Sequence, residues 1–244
     1  MKYVKSLLAI FFVFALSANI FSQTVDDIIS KHVDAMGGLD KIMAIKTVKY
    51  TGTFSGMGAD IPVTIVIKRQ DKVRMDMSFQ GMSMTQAYDG STGWQINPFS
   101  GKKAAEKMTS EETKDMKEEA EFEGQLVNWK DKGYKVELLG KEDMEGTDSY
   151  KIKLTDKDND VTTYWLDASS YLVIKESTKR KFKEKEITQD MYPGNYQPVE
   201  GVMFAMSVEI KSGSGNDSQK GTWSKVELNT DVDDTLFKMP DDSK

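Results

Sequence analysis

A mainly β chain is predicted, built as a curved antiparallel sheet of about eleven strands covered by an N-terminal helix and an inserted helix. Three observations lead there. From Thr47 onward, apolar residues recur at every second position in run after run, most cleanly in Val202, Phe204, Met206, Val208 and Ile210, the period of strands with one apolar face. Two segments, Thr24 to Met36 and Thr109 to about Trp129, abandon that period. Turn chemistry rather than linkers separates the runs, so a single domain over 23–244 is expected. Period and composition do not separate a barrel-like sheet from a β-sandwich.

Met1 to Ser22 reads as a secretory signal. Lys2 and Lys5 precede the apolar run Leu7 to Leu16, and small residues follow at Ser17, Ala18 and Ser22, the layout of an export leader. Cleavage before Gln23 is expected, with the bond after Ala18 as the alternative. The apolar run is short for a membrane span. The first helix then carries Val25, Ile28, Ile29, His32, Val33 and Met36 on one stripe, with Thr24 and Asp27 as a capping box and Gly37-Gly38 as the stop. Leu39 to Ile45 adds one or two further turns.

Val48, Tyr50 and Phe54 open the sheet, followed by Ile61, Val63, Ile65 and Ile67, then Val73, Met75, Met77 and Phe79, then Met82 and Met84 after a Gln80-Gly81 turn. Asp89-Gly90 supplies the positive-φ residues of a short hairpin, with Trp94 and Ile96 sharing a face of the strand Thr92 to Asn97. Thr109 and Glu112 mark a capping box, after which Ser110 to Glu123 is strongly charged and only unevenly apolar. Strands return at 134–140, 148–155, 161–167, 171–181, 184–192, 202–211 and 221–229, with turns at Asp167 to Ser170 and Gly213 to Asp217.

Composition narrows function. The net charge is −6, and loss of Lys2 and Lys5 with the leader makes it −8. Phosphate backbones and anionic lipid surfaces both select clustered Lys and Arg, so neither nucleic acid nor charge-driven membrane docking is expected. The basic run at Lys179, Arg180, Lys181, Lys183 and Lys185 is interrupted by Phe182 and Glu184 and reads as a solvated strand edge. There is no cysteine, hence no disulfide and no site for lipid attachment, and the mature chain is expected to be soluble. Roughly 220 residues can bury one core without cross-links.

His32 is the only histidine and lies on an apolar stripe, as a core histidine would. Without cysteine or a second histidine the common zinc sites are excluded. No nucleophile elbow, phosphate loop or dinucleotide fingerprint is present, so no catalytic residue, metal or cofactor is assigned. Asp156 to Asp160 superficially matches a calcium loop but lacks its central glycine and twelfth-position glutamate; a turn between strands accounts for it. Methionine is frequent, fifteen in all, and Met75, Met77, Met82 and Met84 cluster. Such side chains serve equally as ordinary core or as a deformable wall for acyl chains.

Three segments resemble one known family. The hairpin D-G-x-T-x-W-x-x-N-P-F at Asp89 to Phe99, the run Ile67-Lys68-Arg69-Gln70 and the closing Asp233 to Pro240 are similar to segments of the LolA family of periplasmic lipoprotein carriers. The resemblance implies an open, incomplete β-barrel of the LolA/LolB type, closed by helices over a hydrophobic cavity. It implies a monomeric periplasmic carrier or chaperone for acyl chains of lipoproteins or lipids, acting in outer-membrane lipoprotein sorting between an inner-membrane donor and an outer-membrane acceptor. Met75, Met77, Phe79, Met82, Met84, Phe204 and Met206 would line the cavity. Arg69 would hold the lid closed, although Gln70 stands where the family has proline. The alternatives are an envelope sensor or interaction module on the same fold, and a hydrolase using carboxylates.

Overall fold

The strand order β6-β5-β4-β3-β2-β1-β13-β12-β11-β10-β9-β8-β7 makes one antiparallel sheet in which nearly every strand pairs with its sequence neighbour. The computed structural model describes residues 23–241 except 57, 102, 183–184 and 213–217, with backbone alone for 56, 180–182 and 185. The predicted leader, the Gly213 to Asp217 turn and most side chains of the basic run therefore lie outside the described residues. The strands are β1 (Thr47–Gly56), β2 (Ala59–Lys68), β3 (Lys72–Phe79), β4 (Met82–Tyr88), β5 (Gly93–Ile96), β6 (Glu106–Lys107), β7 (Lys135–Met144), β8 (Thr147–Thr155), β9 (Val161–Asp167), β10 (Val173–Phe182), β11 (Lys185–Val199), β12 (Val202–Ser212) and β13 (Ser218–Leu228). Thirteen strands exceed the predicted number of about eleven; β5 lies within the predicted strand Thr92 to Asn97, whereas β6, a run of two residues, is too short to show a period.

Three helices cover one face. α1 (Val25–Ala35) begins at the Thr24–Asp27 capping box as expected. Its Ile28 and Ile29 pack with Leu126 on Tyr150, Ile152, Leu154, Tyr164 and Leu166 of β8 and β9. α2 (Leu39–Ala44) brings Ile42, followed by Ile45, onto Val48, Phe204, Met206, Val226 and Leu228 of β1, β12 and β13. α3 (Ser110–Glu119) is capped by Thr109 and Glu112 and sets Met116, with Ala120, against Val63, Ile65, Ile67, Val73 and Tyr88 of β2 to β4. The predicted insertion is helical only to Glu119; residues 121–134 are turns and coil.

The sheet must curl, and α3 shows how far. β5 and β9 are nine strand steps apart, roughly 43 Å on a flat sheet. Yet Thr113 lies so close to Gly93 of β5 that a Cβ there would stand 2.7 Å from its Oγ1. The next residue, Lys114, places its ammonium 2.6 Å from Asp160 and 2.7 Å from Asp158 in the β8–β9 turn. A single turn of helix thus touches both ends of the sheet, which wraps around it. The edges β6 and β7 remain unpaired with each other, so the barrel is open and α3 with the following loop occupies the gap.

Behind β1 to β5, on the opposite face, the chain end forms a strap. Trp94 sits there, not on the helix side, because it pairs across Ala87, which in turn pairs with Arg74. Its indole nitrogen donates to the Phe237 carbonyl at 2.7 Å, and both side chains are fully buried. Lys68 and Lys72 grip Asp234 at 2.8 and 2.6 Å, and their hydrogen bonds hold its carboxyl down at about 2. Two of the segments that carry the family resemblance therefore meet across the sheet. Replacing Phe237 by Ala should cost about 3–5 kcal/mol of stability in urea unfolding monitored by Trp fluorescence.

Candidate functional site

The inner face of the curled sheet holds the candidate site. Its wall runs from Met75, Met77 and Phe54 past Tyr50 and Trp223 to Phe204 and Met206, with Phe122 of the loop after α3 packed over the middle. Tyr50 meets Trp223 at 5.2 Å and Phe204 at 6.1 Å between ring centroids, and Phe54 meets Trp223 edge-on at 5.7 Å. Glycine at 221 permits this: a Cβ there would lie 2.9 Å from Val208 and 3.2 Å from the Phe54 ring.

The seven predicted wall residues fall into three groups. Met75 and Met77 share the cluster beneath α3, and Met84 faces Met77 directly across β3 and β4. Phe204 and Met206 are buried under α2 with Ile42 and Ile45, so they are core of the cover as well as wall. Phe79 and Met82 pair at the β3–β4 tip, where Met82 is exposed and Phe79 contacts the exposed Phe99 at 6.1 Å. Tyr50, Phe54, Trp223 and Phe122 went unselected in the sequence, although Tyr50 and Phe54 carry the correct parity on β1.

Arg69 ties the cover together. Its Nε donates to the Ile45 carbonyl at 2.6 Å and Nη2 to the Ile42 carbonyl at 2.8 Å, while Nη1 lies 3.2 Å from Glu123. The guanidinium also stacks over Phe122 at 4.7 Å. One planar fork thus joins the end of α2 to the loop after α3, a geometry that suits arginine and not lysine. The departure at the next position has a plain cause. Gln70 and Asp71 have φ of 71° and 58°, a two-residue turn with both central residues left-handed, and proline with φ fixed near −65° cannot occupy it.

A polar group interrupts the apolar wall. Ile152, Tyr164, Glu176, Met191 and Ile210 stand in one cross-strand row over β8 to β12. Burial and then the field of Glu119 raise the Glu176 carboxyl to about 7. Burial likewise pushes the phenols of Tyr50, Tyr164 and Tyr196 well up. Glu176, Tyr50 and Tyr196 are each partly buried. Tyr164 donates to Gln125 at 3.0 Å and Tyr196 to the Val173 carbonyl at 2.9 Å.

Other chemistry is spoken for. His32 is buried and its Nδ1 lies 2.8 Å from the Tyr171 carbonyl; burial lowers its pKa, so the neutral ring donates that bond. Glu118, Asp156 and Asp160 are close enough to hold a metal, but the Lys114 ammonium stands among them, 3.9, 3.7 and 2.6 Å away. Desolvation opposes that charge, and hydrogen bonds to Asp158 and Asp160 outweigh it, raising the lysine pKa. A pocket of about 610 Å³ lies beneath the strap on the opposite face, where Lys49 and Arg74 face Glu227, Asp231 and Asp233. Its mixed charges suit no acyl chain. No helix among the described residues is long and apolar enough to cross a membrane.

A family model described as an uncharacterized protein matches residues 99–240. No curated protein matches the sequence. Among solved structures, a LolA superfamily protein from Nitrosomonas europaea superposes with a TM-score of 0.60 at 13% identity, covering 89% of this chain and 98% of that one. A domain from Vibrio parahaemolyticus assigned to outer membrane lipoprotein sorting gives 0.56 at 12% identity, over 86% of this chain and 94% of its own. A DUF1329 family protein from Desulfovibrio piger gives 0.51 at 12%, over 88% and 97%. At these identities the likeness establishes the fold, which is LolA-like.

Stability should depend on pH through Glu176. A carboxyl raised from 4.5 to about 7 contributes stability in full below its unfolded value and loses it as pH rises through about 7. Glu176→Gln keeps the neutral form at every pH. The variant should match wild type near pH 4 and exceed it by about 3 kcal/mol at pH 8, measured by urea denaturation.

Proposed function

Because the chain belongs to the uncharacterized-protein family matched over residues 99–240 and has the LolA-like fold, we propose that it is a non-enzymatic, extracytoplasmic carrier of acyl chains. The carrying observation is the inner wall of methionine and aromatic side chains beneath a cover latched by Arg69. Methionine repacks around varied chains, and each buried methylene contributes about 0.8 kcal/mol. Phe79, Met82 and Phe99 at the open tip lead along the pair Met77 and Met84 to the wall. A chain entering there displaces α3 contacts and exchanges protein packing for lipid packing.

Arg69 is the closing residue in this reading. Opening the cover breaks its bonds to Ile42, Ile45 and Glu123 together, so the cover moves as a unit. An acceptor that binds the open form draws the cargo out. The cargo class favoured by the wall and the fold is the acyl part of lipoproteins or lipids in the periplasm, with the mature chain starting near Gln23.

Protein isolated from the periplasm should release acylated peptide or lipid on organic extraction, with a matching mass shift in native mass spectrometry. A clean unliganded mass that persists after incubation with lipoprotein and phospholipid would overturn the carrier reading. Arg69→Leu should retain the far-ultraviolet circular dichroism of the wild type. Its amide protection should drop over residues 39–46 and 120–124, and transfer of a fluorescent acyl probe to vesicles should change severalfold. Unchanged transfer would remove the closing role from Arg69.

A further inference from the structure

The β2–β3 turn grips the molecule on both faces of the sheet. Consecutive residues of an extended chain point to opposite sides, so Lys68 reaches the strap on the outer face and Arg69 the cover on the inner one. Lys68 and Lys72, flanking the turn, hold Asp234 at 2.8 and 2.6 Å, and Lys68 also donates to the Val232 carbonyl at 2.6 Å. Arg69 holds the Ile42 and Ile45 carbonyls. The chain that follows α2 closes the circuit. The Arg69 amide donates to the Lys46 carbonyl at 2.9 Å, the Lys46 amide to Oδ1 of Asn229 at 2.8 Å, and the Thr47 hydroxyl to the Thr230 carbonyl at 2.8 Å. Strap, turn and the end of α2 thus form one ring of hydrogen bonds.

Two parts of that ring are poised to move. Gln70 and Asp71 both hold left-handed backbone, at φ of 71° and 58°, a conformation that residues other than glycine keep only where their surroundings impose it. The strap is fixed where it leaves β13, by the Asn229 amide on the Thr47 carbonyl, and again at the buried Phe237. Between those points it spans a space of about 610 Å³. It is held there by Arg74 on the Leu236 carbonyl at 2.9 Å and by the two lysines on the half-exposed Asp234. Ion pairs open to solvent are weak. Resting on the reading of Arg69 as the closing residue, we propose that the strap is the control element of the cover: drawing Asp234 off its two lysines loosens the Arg69 fork on the opposite face. Without the outer grip the turn relaxes, and a fork that must meet two carbonyls is lost by a shift of about 1 Å. The cover can then be opened from the outer face of the sheet, and an acceptor need not reach the inner wall to draw cargo out. Coupling of this kind is reciprocal, so an opened cover in turn frees the strap.

Hydrogen exchange read by mass spectrometry on the full mature chain tests the coupling. Asp234→Asn and, independently, Lys72→Gln should speed exchange about fivefold or more over residues 39–46 and 120–124, while residues 150–166 keep their wild-type rates. Arg69→Leu should in return speed exchange over residues 229–236. Transfer of a fluorescent acyl probe to vesicles should change in Asp234→Asn in the same direction as in Arg69→Leu, and the double variant should go no further than Arg69→Leu alone. Melting temperatures report the folding of each variant. Changes confined to the strap in Asp234→Asn and Lys72→Gln, or a uniform rise that includes residues 150–166, overturn the coupling and leave the closing role of Arg69 intact. Wild-type exchange over 39–46 and 120–124 in Arg69→Leu overturns that closing role and the coupling with it. Failure of the wild type to bind the acyl probe overturns the carrier reading alone, since the exchange measurements do not depend on it.

Discussion

A thirteen-stranded sheet with one apolar face has to hide that face from water, and everything else in this fold follows from how it does so. A second sheet would have given a sandwich. Here the sheet instead wraps around its own cover, and three short helices each shield about a third of it. α1 lies on β8 and β9, α2 on β1, β12 and β13, and α3 on β2 to β4. None of these helices is long, and α3 is so charged that Met116 is its only buried residue. Such a cover is held by a few directed bonds more than by area. The Arg69 fork is one, and the Lys114 grip on the β8–β9 turn is another. Bonds of that kind can be broken together and remade, which distinguishes a cover from a core.

Much of this was legible because it is local. The Thr24–Asp27 and Thr109–Glu112 capping boxes announce their helices within four residues, and the Asp156 to Asp160 segment is the turn its composition implies. Arg69 was legible only by resemblance, since no pattern in Ile67-Lys68-Arg69 says that its guanidinium reaches two carbonyls at the end of α2. The orientation of Trp94 was not legible, because parity assigns residues to a face without saying which face is covered. β6 pairs through two residues, below any periodic signal.

The facing of Glu176 was not legible either, for a local reason. Alternation from Val173 would turn Lys175 inward and Glu176 outward. The strand carries a register shift between Val173 and Lys175, and one added residue reverses every side chain beyond it. Lys175 therefore lies outside, stacked on Trp165 at 4.9 Å and paired with Asp190 at 2.9 Å, while Glu176 is turned to the face that the helices cover.

The pairing of β1 with β13 has a consequence for how the molecule is made. The two ends of the strand sequence meet in the middle of the sheet, and the true edges lie halfway along the chain. The left half, β1 to β6, and the right half, β7 to β13, can each form by hairpins alone. They can join only after the last strand has been delivered. Until then α2 lacks the residues of β12 and β13 that it packs against, and the strap behind Trp94 does not exist. The seam is thus a timing device: the halves grow separately by local zippering, and the slow, long-range closure that unites them waits for the final residues.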